Sequence, residues 1–319
     1  NNATSHWQSL AVALIVVAFA IWVRVPFCLE SFWVDELHSA WAVWGSFGEV
    51  ASRAAIGNQT PVYYWALWVW RQVFGDSELA LRASSVLMSA LACGVVAAGV
   101  AQQTRVLASG AIAGLMLAID PHSLFFGTEL RVFPAILLIA ACTCWAWSVN
   151  RRSVSTRSAI AVVGLILLAA LVQPTSIAVL GCLTIWPIAM FFTRDGITRP
   201  KLSWLWGVAL TCVALVIAWQ LAGEVLMTAW KHRGQWAALG SARNFRQIET
   251  LWRWKTMAII PASLAIVAVV IDRFRSREIV GVRPAHSIRI SDWAWPMALV
   301  LVATALFWTL SYTGIATVF

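Results

Sequence analysis

Charge is what this 319-residue chain has least of: 12% of its residues are charged, 61% are hydrophobic, and the mean hydropathy is +0.77. A water-soluble globule of that composition would expose too much apolar surface, so soluble enzymes and soluble binding modules are excluded and the chain reads as an integral membrane protein. No soluble basic domain is present to use the net charge of +9 on nucleic acid, because the basic residues fall in short loops between apolar runs. A disulfide framework and zinc-type spacing are also missing. Cys93, Cys142, Cys144, Cys182 and Cys212 lie inside apolar runs and Cys28 at the edge of one, where they serve as small hydrophobes. The sequence has no internal repeat and no low-complexity segment, and the first run lacks the basic flank and small-residue cleavage site of a signal peptide, so it reads as a retained span.

Apolar runs are plentiful. Stretches near the ~20 residues needed to cross a bilayer occur at 7–27, 79–101, 107–120, 131–149, 159–173, 176–193, 203–222, 256–272 and 293–311. The expected fold is therefore an all-α integral membrane protein of nine transmembrane helices, forming a single domain over 1–319. Tryptophans such as Trp7, Trp22, Trp33, Trp186, Trp204 and Trp293 stand near the ends of these runs, as in an interfacial aromatic belt. The segment 60–75 covers only about 24 Å as a helix and ends in polar residues, so it is expected to lie at the interface, with Pro61 in its first turn and Gly75 at its end. The chain starts without Met and stops just after an apolar run, which suggests a C-terminally truncated fragment.

With that topology, the loops near 105, 151–157, 194–201 and 273–289 collect arginines and few acids, the usual cytoplasmic pattern. The opposite side receives a first extracytoplasmic loop at 28–78, the turn after 120 and a second large loop at 223–255. That last loop carries Lys231, Arg233, Arg243, Arg246, Arg253 and Lys255 against the rule, which fits either phosphate binding or an ordinary solvated loop on lipid headgroups.

On that outer side the adjacent carboxylates Asp35 and Glu36 meet Glu78, Arg82, His122, Glu129 and Arg131 from three further segments. Ionisable residues at membrane depth are functional candidates. If a phosphorylated lipid carries a sugar, an interfacial Arg or Lys can hold the departing phosphate while a carboxylate takes the proton from an acceptor hydroxyl, giving single displacement with inversion. Asp35 fits that base. It equally fits an N-cap for a helix through "ELHSAWAVW", with Glu36 in the first turn. His38 and His122 read as interfacial polar residues, or as partners of Asp35 or Glu78 around a divalent ion, although no metal motif is visible. Arg82 and Arg131 contact phosphate or snorkel at helix ends, and Tyr63 and Tyr64 anchor the interface or contact substrate.

The ordered motifs "FWVDELHSA", "GNQTPVYYWALWVWRQVFGDSELALRASSVL" and "DPHSLFFGTELRVFPAILL" resemble the multi-pass GT-C glycosyltransferases, in the branch of the protein O-mannosyltransferases and the lipid A aminoarabinose transferase (glycosyltransferase families 39 and 83). The match covers residues 7 to 150. The resemblance implies a bacterial inner or plasma membrane protein that uses a polyprenyl-phosphate-linked sugar on its extracytoplasmic face, with an acceptor that is lipid, polysaccharide or protein. It places Asp35 at the family's catalytic acid position and Glu36 beside it, Arg82 at the turn arginine, and Glu129 and Arg131 in the later turn. Lys231 and Arg233 are added as donor-phosphate ligands. Thr60 stands where the family has a second proline, Phe133 where it has tyrosine, and its later Arg-Tyr region is absent. No cofactor is implied with certainty; a divalent metal is compatible. The alternatives are a transporter or flippase of lipid-linked substrates and a non-catalytic membrane scaffold of the same fold.

Overall fold

The computed structural model describes residues 6–152 and 156–176, with scattered positions between 180 and 312. Every regular element among the described residues is helical. Helix α1 (His6–Arg24) continues into a 3-10 turn (Val25–Leu29), and the first loop holds α2 (Val34–Ala42), α3 (Phe47–Ile56) and α4 (Pro61–Phe74). Then follow α5 (Glu78–Thr104), α6 (Leu107–Ile119), α7 (Pro121–Thr128), α8 (Phe133–Arg152) and α9 (Thr156–Val172).

Among the described residues two segments are long and apolar enough to cross a membrane, His6–Leu29 and Glu78–Thr104; a third results if α6 and α7, bent by 63°, count as one. The helices α8 and α9 match the runs expected at 131–149 and 159–173. The later runs, and Arg233 with them, lie outside the described residues. The chain divides into two compact units, Asn1–Ala229 and Trp230–Phe319; everything below concerns the first, whereas Lys231, exposed on a helical turn, belongs to the second.

Local signals explain the boundaries. Ser77 caps α5 by accepting from the Ala80 N–H at 3.2 Å, and Asp120 caps α7 by accepting from the Ser123 N–H at 2.8 Å, with Pro121 at the first helical position. The residues after 120 read as a loop in sequence; this cap and proline make them a helix. Gly75 ends α4 at φ 91°, a left-handed conformation that glycine adopts without penalty. Thr60, in place of proline, donates its hydroxyl to the Val172 carbonyl at 2.8 Å and so ties the start of α4 to the end of α9.

The buried centre of α1, α5 and α6 is made of Val16, Ala20, Ala90, Cys93, Ala97 and Ala118. These side chains are small because the helices approach closely, the packing mode of helices that gain nothing from expelling water. A Cβ at Gly110 would lie 2.3 Å from the Ala97 carbonyl oxygen, and one at Gly114 2.8 Å from Ala97 Cβ and Val16 Cγ1. Gly110→Ala and Gly114→Ala should each lower stability by about 1–3 kcal/mol through overpacking, visible as a lower thermal midpoint in detergent. Gly48→Ala, at a site with open space, should leave it unchanged.

Candidate functional site

The two adjacent carboxylates occupy the first turn of α2. Successive helical residues point about 100° apart, so they cannot share a role. Trp33 is the N-cap residue, which displaces Asp35 from the capping position; Glu36, three residues on, accepts the Trp33 N–H at 3.3 Å. Asp35 faces outward with a side chain 49% exposed, whereas that of Glu36 is 1% exposed.

Glu36 meets Arg82 of α5 through two parallel bonds, Nε to Oε1 at 2.8 Å and Nη2 to Oε2 at 2.5 Å. The Leu130 N–H donates to Oε1 at 2.8 Å. The remaining N–H groups of Arg82 go to the carbonyls of Cys28, Glu30 and Ser31, and its guanidinium lies 4.9 Å over the Phe32 ring. All five donors of the arginine are used, and the carboxylate accepts four bonds. This geometry corrects two expectations: Arg82 has no N–H left for a phosphate, and Glu36 is a structural partner beside the exposed acid.

Asp35 pairs with Arg131, Oδ2 to Nη1 at 2.9 Å. The Arg131 guanidinium also lies 4.7 Å from the Phe133 ring and 5.9 Å from that of Trp33, so Phe133 supports the cation through its ring face. The pair stands on the wall of a cavity of about 150 Å³ lined also by His38, Ser39, Gly57, Gln59, Tyr64 and Val132. Asp35, His38 and Ser39 reach it together because residues three and four apart share a helical face.

His38 packs its ring edge against Gly57, where a Cβ would sit 2.0 Å from Nε2. Nε2 is buried without a hydrogen-bond partner, and burial pushes the imidazole below its usual pKa against the opposing pull of Asp35. Tyr64 is buried beside His38 and Ser39, and burial raises its phenol. Tyr63 is equally buried but points away from the cavity towards Ser85, with its phenol raised for the same reason. Glu78, in the first turn of α5, and His122, stacked 6.3 Å from Phe126 on α7, do not line the cavity. Among the described residues no three His, Cys, Asp or Glu side chains come close enough together to hold a metal ion.

Glu129 follows α7 in a tight turn closed by the Arg131 N–H on the Glu129 carbonyl at 2.8 Å. It is 5% exposed, and neither carboxylate oxygen has a hydrogen-bond partner among the described residues. Burial pushes its carboxyl up to about 7, opposed by Arg131 and Arg82 and reinforced by Asp35 and Glu36.

Sequence reasoning passed over Arg24. It lies at the end of α1, fully buried, donating to the carbonyls of Ala20 and Ala118 at 3.1 Å each and to Ser123 Oγ at 2.8 Å. Its position inside the run at 7–27, just before Pro26, was the available signal. The arginine clamps α1 to the bend between α6 and α7, whose second helix leads into the Glu129 turn.

No protein-family model, curated protein or solved structure matches this chain.

Removing one member of a buried ion pair strands the other, at a cost of about 3–5 kcal/mol. Arg82→Met should therefore depress the thermal midpoint severely or abolish recovery of folded protein, whereas Asp35→Asn, on the exposed pair, should leave the midpoint nearly unchanged. Parallel thermal denaturation of the two variants checks the contrast.

Proposed function

We propose that this chain is a multi-pass membrane glycosyltransferase that moves a sugar from a polyprenyl-phosphate donor to an acceptor hydroxyl on the extracytoplasmic face, with inversion at the anomeric carbon. One observation carries the reading. Of two neighbouring acid–arginine pairs, Glu36 with Arg82 is saturated and buried, whereas Asp35 with Arg131 is partly exposed on the wall of a cavity. The resemblance of the first 150 residues to the GT-C enzymes supports the same assignment.

The chemistry follows from the pair. A donor phosphate competes with Asp35 for Arg131, since phosphate and carboxylate suit the same guanidinium fork. That exchange places the phosphate on the cation and frees the carboxylate. The acceptor hydroxyl then attacks the anomeric carbon and gives its proton to Asp35, the bond between that carbon and the phosphate oxygen breaks, and Arg131 stabilises the lipid phosphate that leaves. His38, Ser39 and Gln59 on the cavity wall offer polar contacts to the sugar. A cavity of about 150 Å³ falls below the usual ~300–1,000 Å³ of ligand pockets, which suits one sugar ring with its lipid outside.

The test is transfer of label from radiolabelled polyprenyl-phosphate sugars by the full protein in membranes. Asp35→Asn should reduce transfer about 10²–10⁴-fold, the usual contribution of a general base, and Arg131→Gln should weaken use of the donor. Full activity in Asp35→Asn protein would overturn the assignment, and label that crosses the membrane still attached to lipid would favour a flippase.

A further inference from the structure

Among the described residues, Glu129 is a buried acid whose carboxylate oxygens have no hydrogen-bond partner. Its neighbour Glu36 accepts four hydrogen bonds, yet both Glu129 oxygens are buried and unpartnered. A carboxylate stripped of water and of donors is costly, and such a group ordinarily keeps its proton. Among the described residues, the cation that draws most on its charge is Arg131, followed by Arg82. Arg82 uses every N–H on Glu36 and three carbonyls. Arg24 of α1 gives its Nη groups to the carbonyls of Ala20 and Ala118 and to Ser123, while its Nε, beside Gly127, is buried without a partner and does not figure among the charges that act on Glu129.

The other charged and titratable groups facing this position are Asp35 and Glu36 on α2, which repel a second negative charge; Asp120 and His122 stand at the far end of α7. Arg131 follows Glu129 by two residues across a closed turn, its charge acts on the Glu129 carboxyl, and its ion pair is with Asp35.

We propose that Glu129 is a positioning residue that, on losing its proton to water, draws the Arg131 guanidinium off Asp35, leaving Asp35 free to accept the acceptor's proton and the outer edge of Arg131 free for phosphate. This rests on the glycosyl-transfer reading for its purpose, but the competition of two carboxyl groups for one arginine is a property of the folded chain. With Glu129 protonated, Arg131 belongs to Asp35 and the base is occupied. With Glu129 ionised, the guanidinium bridges inward and the base is released. Because the folded-state pKa of Glu129 is raised to about 7 from 4.5, the switch falls near neutrality, with the released form on the alkaline side.

Two measurements on the full protein in lipid nanodiscs test this. In infrared titration from pH 5 to 9, the wild type should lose a protonated-carboxyl band with a midpoint near 7, and Glu129→Gln protein should lack that band. Asp35→Asn removes a repelling charge and frees Arg131, so it should move the midpoint down by about one unit, the usual effect of an opposite charge close by. A midpoint in the ordinary carboxylate range, or one that does not move in Asp35→Asn protein, overturns the proposal.

The second measurement is transfer rate against pH with the radiolabelled donors. The wild type should rise about tenfold between pH 6 and 8, and Glu129→Gln should lose that rise. A merely structural Glu129 would scale the whole profile and keep its midpoint, which also overturns the proposal. If no donor is used but the band shifts in Asp35→Asn protein, the coupling of Glu129 to Arg131 is supported and the glycosyl-transfer reading is the part that falls.

Discussion

The fork between Glu36 and Arg82 is the interaction on which the face carrying Asp35 and Arg131 depends. It joins three pieces of chain: the segment 28–31 at the end of the 3-10 turn, the start of α5, and the turn at Leu130. Taking both charges out of water is expensive, and their mutual attraction compensates only when every remaining lone pair and proton is used. That condition is met here. The result is a neutral, rigid floor from which Asp35 projects one position earlier on the same helix.

The helical character, the first five apolar runs and the helix at 60–75 were legible because they depend on period and composition, which are properties of short windows. The caps were partly legible: Pro61 and Gly75 bound α4 as their chemistry dictates, but a Pro after Asp at 120 was read as a loop although it starts a helix. Division of labour between Asp35 and Glu36 was not legible. Both stand in one turn, and only the partner waiting 46 residues away decides which one faces inward. The same holds for Arg82 and Arg131, which look alike in sequence and differ in how many of their donors the fold has already engaged.

Arg24 illustrates a different limit. Hydropathy averaging hides one cation among many apolar residues, and an arginine near the end of a span ordinarily snorkels to water. Here α6 and α7 bend around it and present carbonyls and a hydroxyl instead, the kind of polar satisfaction that lets a charge stay inside. The bend and the buried cation therefore explain each other. Small residues on α5 and α6 allow the close approach that brings the Ala118 carbonyl within reach, so the glycine contacts and the buried arginine belong to one packing solution.

The bond from Thr60 to the Val172 carbonyl joins residues 112 positions apart. A ribosome working at about 5–20 residues per second takes roughly 5–20 s to cover that distance. Throughout that interval the newly inserted first loop holds its acids and aromatics without the anchor that fixes the start of α4. The tie between the first loop and α9 is thus made late in biosynthesis, after α9 has been laid down, and the nascent chain passes through a stage in which its early helices are in place while the start of α4 is not yet anchored.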